Sequence, residues 1–329
     1  MIAEAVVETV RGPIAASDLG KTLMHEHLFV LDPELERTYP RRYAKDPIQM
    51  VDEAVAKLKA LADLGFSTLV DLTVLGLGRN IDLIQAVASR TPVNIVVATG
   101  AYVLRDLPLT LQLRGPGRTM FGGPEVLTQM FVDDIVHGIE GTNVKAGVLK
   151  CATDRFGVTK DVERTLRAVA AAHVATGIPI STHTNARSRT GLDQQRIFAE
   201  EGVDLGRVVI GHCGDTKDIE YLEQLIDSGS YVGLDRFGQN FWLPLEDRIE
   251  VVKHLCRNGH AERIVLSHDA CCHNVGYTEH EMRRFVPTYG FEHLARDVVP
   301  ALLNAGVTPD EIQQMLIDNP KRVLGHLPQ

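Results

Sequence analysis

A chain of 329 residues with 44% hydrophobic side chains can bury a large α/β core, and a net charge of -9 (34 basic against 43 acidic residues) leaves no basic footprint for nucleic acid or an anionic membrane. The N-terminal MIAEAVVETVRGPI lacks the basic start and apolar core of a secretory signal, and no apolar run approaches 18 residues, so a cytoplasmic protein is expected. Five cysteines, Cys151, Cys213, Cys256, Cys271 and Cys272, form no C-x-x-C pairs and fit reduced thiols rather than a disulfide framework.

In chain order, a hairpin is expected over about 3–20, then a first strand in TLMHEHLFV (22–30). The stretch PIQMVDEAVAKLKALADLG (47–65) places Val51, Val55, Leu58, Leu61 and Ala62 on one helical stripe, with Gly65 as the C-cap. Apolar, β-branched runs recur at STLVDLT (67–73), NIVVATG (94–100), AGVLKCAT (146–153), PISTHT (179–184), RVVIGHC (207–213), YVGLDRF (231–237) and RIVLSHDA (263–270). Amphipathic segments at 80–90, 160–177, 216–229 and 245–259 separate them, long loops follow the third strand (101–122) and the eighth (270–290), and helices close the chain over about 291–325.

Alternating strands and helices predict a parallel sheet. Eight such units over roughly 250 residues have the size of a (β/α)8 TIM barrel, read here as one hydrolase domain over 1–329. A doubly wound sheet is the alternative, but it usually carries a glycine-rich phosphate loop after its first strand; GLGRNI (76–81) lacks the third glycine and follows the second.

In a barrel, polar residues at the C-terminal strand ends carry the chemistry. Period-two alternation puts His25 and His27 on one face and Glu26 on the other. His183, His212 and Asp269 end strands five, six and eight, and Lys150 lies near the end of strand four. Singly, each has an ordinary explanation: a hydrogen-bonded histidine, an N-cap aspartate, a paired lysine. Together, four imidazoles and a carboxylate exceed one tetrahedral zinc site and suit two ions about 3.5 to 4 Å apart, His25, His27 and Asp269 on one, His183 and His212 on the other. His268 is turned away from Asp269 and takes a supporting or packing role. Burial beside two cations would depress the Lys150 pKa toward the neutral amine, which adds carbon dioxide to give a carbamate able to touch both ions. A Schiff-base lysine is the competing role, and it leaves the histidines idle.

The ordered motifs TLMHEHLF, GVLKCATDRFG, STHTNARSRTG, VVIGHCGDT, VGLDRFG and LSHDACC resemble the phosphotriesterase family of the amidohydrolase superfamily; DLTVLGLGRN and ATGAYV are similar to its phosphotriesterase-like lactonase branch. The resemblance spans essentially the whole chain. It implies N6-carboxylation of Lys150, two divalent ions bridged by that group and a hydroxide, and a homodimer. Zinc is the first expectation for the ions, with cobalt, manganese or iron also compatible with the donors. It also implies that Tyr102 helps hold the substrate carbonyl, that Arg236 stands where organophosphate specialists carry histidine, and that Asp215 partners Arg236 and connects to Asp269. An ordinary rim tyrosine and a structural ion pair are the alternatives for these residues. Cys271 and Cys272 would line a substrate wall. The 270–290 loop departs from lactonases with a tryptophan near its start, since Gly276 stands in that region.

The implied reaction is hydrolysis of N-acyl-homoserine lactones and related lactones: the bridging hydroxide attacks the carbonyl, Asp269 takes its proton, and organophosphate hydrolysis is a side reaction. Signal degradation (quorum quenching) is one role for such an activity. The alternatives are a dedicated phosphotriesterase, another ester hydrolase on the same centre, or a non-catalytic barrel that leaves six ligands unexplained.

Overall fold

The computed structural model describes residues 4–327. The expected hairpin is present as β1 (Val6–Val7) and β2 (Ile14–Ala15). A nine-stranded parallel sheet follows: β3 (Lys21–Val30), β4 (Phe66–Asp71), β5 (Asn94–Gly100), β6 (Val148–Ala152), β7 (Ile180–His183), β8 (Val208–Ile210), β9 (Tyr231–Leu234), β10 (Ile264–Leu266) and β11 (Cys271–Asn274). Its order is β10-β9-β8-β7-β6-β5-β4-β3-β11. Strands β10 and β11 are consecutive in sequence yet sit at opposite ends of that order, β10 against β9 and β11 against β3. They are two halves of the eighth stave. Hydrogen bonds from Asp269 N to His25 O (3.1 Å) and His27 N to Ala270 O (2.9 Å) run across the seam, and the sheet closes as a (β/α)8 barrel.

The helices form where the periodicity predicts. Pro47–Asp63 is capped by Asp46 and buries Val51, Val55, Leu58 and Leu61; Lys160–Thr176 is capped by Thr159 and stops at left-handed Gly177. Ile81–Ala88, Ile219–Asp227 and Leu245–Arg257 fill the other expected segments. Two stretches expected as loops contain structure: 101–122 holds a helix at Leu109–Leu113, and 270–290 supplies β11 and a helix at Glu279–Phe285 with a Thr278/Glu281 capping box. Among the described residues no helix is long and apolar enough to cross a membrane.

Two apolar layers follow the pleat. Met24, Val70, Val96, Val148, Val209 and Val265 fill the barrel interior, with Val7, Leu19 and Leu324 beneath them; Leu23, Leu69, Ile95, Leu149, Ile180 and Leu266 pack outward against the helices. Strict alternation along β3 from Met24 would turn His25 outward. A register irregularity between Leu23 and Glu26 resets the parity, so that His25 and His27 face inward at the barrel mouth and Glu26 outward.

Strands six to eight were expected to run to 213, 237 and 270, but they end at Ile210, Leu234 and Leu266. On two of them the backbone beyond turns left-handed, at His212 (φ 60°) and Asp269 (φ 53°), which is uncommon outside glycine and ends a ladder.

Candidate metal centre

Lys150 lies in β6 on the same face as Val148 and points into the barrel, 1% exposed. Its neighbour in β5 is Gly100, at φ 130°, where a Cβ would come within 1.9 Å of the Lys150 carbonyl oxygen. Only glycine lets the two strands approach there.

Around the amine, each inward imidazole is held from behind. Asp235 takes His25 Nδ1 on one oxygen and His212 Nδ1 on the other, each at 2.9 Å. A carboxylate only accepts, so both Nδ1 atoms carry hydrogen and both Nε2 lone pairs face the centre. His27 Nδ1 meets Thr73 Oγ1 at 2.9 Å. His183 turns the other way, with Nε2 3.4 Å from Asp154 and Nδ1 inward.

The inward atoms converge. Lys150 Nζ is 3.0 Å from His25 Nε2, and His212 Nε2 is 2.9 Å from His183 Nδ1. Asp269 Oδ1 lies 3.3 Å from His27 Nε2 and 3.7 Å from His25 Nε2, while its Oδ2 lies 3.8 Å from His212 Nε2. All six residues predicted as ligands therefore meet at one point at the end of the barrel.

Burial sets their protonation. It pulls His25 down to about 4, with Lys150 adding to the effect, and lowers His183 and His212 as well. Lys150 is lowered to about 8 by the same loss of solvent. Burial alone would raise Asp269, but His212 and Arg236 outweigh it and hold the carboxyl well below its ordinary range. Near neutral pH the centre thus offers neutral imidazoles at His25, His183 and His212, the carboxylate of Asp269 and an amine with a depressed pKa, with the His27 ring beside them. That donor set fits divalent cations, and His25, His27 and Asp269 place one ligand atom each within 4.8 Å of one another. His25, His212 and Asp235 form a second such group, but both Asp235 oxygens are engaged with ring N–H groups, so we read Asp235 as the support of two ligands.

The residues at the mouth form a chain of charges. Arg236 donates through Nε to Asp269 and through Nη1 to Asp215, both at 2.9 Å, and Asp215 also accepts from Arg248 Nη2 at 2.8 Å. Tyr102 stands edge-on to His183, ring centroids 5.2 Å apart at 85°. Burial raises its phenol above the usual value, and its hydroxyl has no hydrogen-bond partner among the described residues. Cys271 pairs in register with His27, but its Sγ lies 3.6 Å from Tyr277 Oη. Its thiol, pushed up to about 11 by burial, lines a cleft of about 770 Å³ shared with Tyr43, Met50, Gly276 and Tyr277, which holds none of the six predicted ligands.

Sequence reasoning missed Asp235, Thr73 and Asp154, the three outer partners of the histidines. Asp235 adjoins Arg236 in VGLDRFG, so its motif was visible while its target was not. Trp242 was also missed: Arg187 and Arg236 lie over its ring at 5.7 and 5.5 Å, and together with His183 and Asp154 they line a pocket of about 50 Å³.

The chain matches the phosphotriesterase family over residues 5–324. It belongs to that family. A phosphotriesterase homology protein of Mycobacterium tuberculosis is 53% identical over 317 residues, covering 96% of this chain and 97% of the relative. An aryldialkylphosphatase of Saccharolobus solfataricus is 39% identical over 311 residues, covering 94% and 96%. The solved structure of the phosphotriesterase from Mycobacterium tuberculosis superposes with a TM-score of 0.94 at 53% identity, covering 97% of this chain and 98% of that one. As a phosphotriesterase-family member the protein is a hydrolase, and the family's chemistry is that of a binuclear metal centre.

Proposed function

We propose that this protein is a lactonase acting on N-acyl-homoserine lactones and related lactones, with organophosphate triesters as secondary substrates. The observation that carries the reading is Tyr102: a protonated phenol beside His183 whose hydroxyl is free to donate to a substrate carbonyl oxygen. Arg236 supports it, since a cation held by Asp269 and Asp215 occupies the place expected for an imidazole in an organophosphate specialist.

In this reading His25, His27 and Asp269 would hold one divalent ion and His183 and His212 the other, and Lys150, once carboxylated, would supply an anionic oxygen ligand to the centre. When bound, the ions supply Lewis acidity and a nucleophile derived from water near neutral pH. Tyr102 Oη orients the lactone carbonyl, and Asp269 takes one proton from water at a carboxylate oxygen and returns it to the leaving alkoxide. Water and lactone become a hydroxy acid. Arg236 keeps Asp269 anionic and fixes its second oxygen. Zinc as the resident ion, a homodimer, a cytoplasmic location and one hydrolase domain belong to the same proposal, checked by elemental analysis, sedimentation, fractionation and limited proteolysis.

The second reading, a dedicated phosphotriesterase, is favoured by the relative named aryldialkylphosphatase. A kinetic panel decides: lactones of graded chain length beside one aryl dialkyl phosphate, with Lys150→Ala as the control. Lactone kcat/KM above that of the phosphotriester is expected. A triesterase rate far above every lactone rate overturns the proposal.

A further inference from the structure

Glu26 separates the two histidines of the HEH motif, is 0% exposed, and points away from the metal centre. Its carboxylate reaches the break between β10 and β11. Oε1 accepts from Ser267 Oγ (2.8 Å), His268 N (2.9 Å) and His268 Nδ1 (2.7 Å), and Oε2 accepts from Ala270 N (2.8 Å). These contacts flank Asp269 on both sides and omit Asp269 itself.

The rest of the break is satisfied just as completely. Asp269 N donates to His25 O, the carbonyls of His268 and Asp269 accept from Gln239 Nε2, and Ala270 O accepts from His27 N. His268 Nε2 accepts from Leu294 N at 2.9 Å, so its Nδ1 carries the hydrogen and donates to Glu26. Ser267 Oγ in turn accepts from His25 N at 2.9 Å. Where the strand ladder is interrupted, two buried side chains take its place, Glu26 accepting from the N–H groups of His268 and Ala270 and Gln239 donating to the carbonyls of His268 and Asp269, and the residue so bracketed is the one at φ 53°.

We infer that Glu26 is the positioning residue for Asp269: by gripping His268 and Ala270 it holds the left-handed turn that aims the Asp269 carboxylate at His25 and His27. The inference rests on Asp269 being a ligand, as proposed above. Glu26→Gln is the sharp variant, because an amide NH2 then faces the Ala270 N–H that Oε2 had accepted.

The test is a cobalt(II) titration of the full-length protein after metal removal, followed by visible absorption and with folding checked by circular dichroism. Glu26→Gln is expected to fold, to bind one of the two ions about 10- to 100-fold more weakly, and to shift the cobalt band. Asn319→Asp is the matched control. Asn319 is 0% exposed and donates to Ala261 O and Ile264 O near the opposite end of β10, so the change should lower Tm and leave cobalt affinity intact. Should Glu26→Gln fail to fold, Ser267→Ala removes one of the four contacts and is expected to weaken the same ion several-fold. Wild-type cobalt binding in the folded Glu26 or Ser267 variant, or equal weakening in Asn319→Asp, would overturn the inference. Lactone turnover does not enter this readout: a wild-type protein that binds cobalt but opens no lactone sinks the lactonase reading and leaves Glu26 to be judged by the titration.

Discussion

The two sides of the candidate centre are built differently. His25, His27 and Lys150 lie inside hydrogen-bonded strands β3 and β6, where the ladder, with the register shift in β3, aims each side chain. His212 and Asp269 lie beyond the ends of β8 and β10 on left-handed residues, where no ladder aims anything. Their direction comes from Asp235 on one and from Glu26 and Gln239 around the other. In-strand ligands are therefore placed by the sheet and braced by Asp235 and Thr73, whereas those beyond the strands are placed by buried side chains alone.

The largest effect should come from the in-strand half. Lys150→Ala is expected to lose bound metal and at least about a hundredfold in kcat/KM together, and a short carboxylic acid added to the variant should restore part of both. Metal per chain and lactone kinetics check this; retention of two ions and full turnover would remove Lys150 from the centre.

Asp235→Asn tests a support that reaches one ligand on each side. One carboxylate holds His25 and His212, so metal affinity should fall about 10- to 100-fold, whereas Thr73→Val, which frees only His27, should cost only several-fold. Equal losses in a chelator competition would break the distinction between a support shared by two ligands and one that serves a single ligand.

Tyr102→Phe keeps the ring against His183 and removes the hydroxyl. Lactone kcat should fall about 10- to 100-fold with metal content unchanged and phosphotriester turnover less affected. A uniform fall on both substrates would mark the tyrosine as a general wall of the pocket.

The smallest effect lies outside both halves and measures the scaffold alone. Burial lowers His173, whose Nδ1 meets Ile178 O at 2.8 Å, so the folded imidazole stays neutral where the unfolded one, titrating near 6.5, takes up a proton. The unfolded chain then binds more protons, and stability should fall as pH drops through about 6.5, by less than about 1.4 kcal/mol per pH unit from this residue. In thermal melts between pH 7.5 and 5.5, His173→Gln should show the shallower slope.

Legibility in the sequence follows the same division. The strand NIVVATG matches β5 over 94–100, and the stripe of Val51, Val55, Leu58 and Leu61 is the buried face of its helix. That His25 and His27 share one face could be read because a two-residue period relates their directions to each other, although which face turns inward was set by the register shift in β3. His212 and Asp269 could be recognised as residues but not oriented, since the chain leaves the strand before reaching them. Asp235, Thr73 and Asp154 could not be paired with their histidines at all: these contacts join residues 210, 46 and 29 positions apart, and nothing local announces them.

The order of elements, the parallel barrel and the set of metal-type donors were determined by the sequence alone, because local hydrophobic period and side-chain chemistry are properties of short segments. The tertiary structure decided that β3 shifts register to turn His25 inward, that the eighth stave divides around Asp269, and that one aspartate serves two histidines. The physical reason is closure. A barrel seam and a buried carboxylate exist only once distant strands meet, and the hydrogen bonds that satisfy them are chosen by the closed shape.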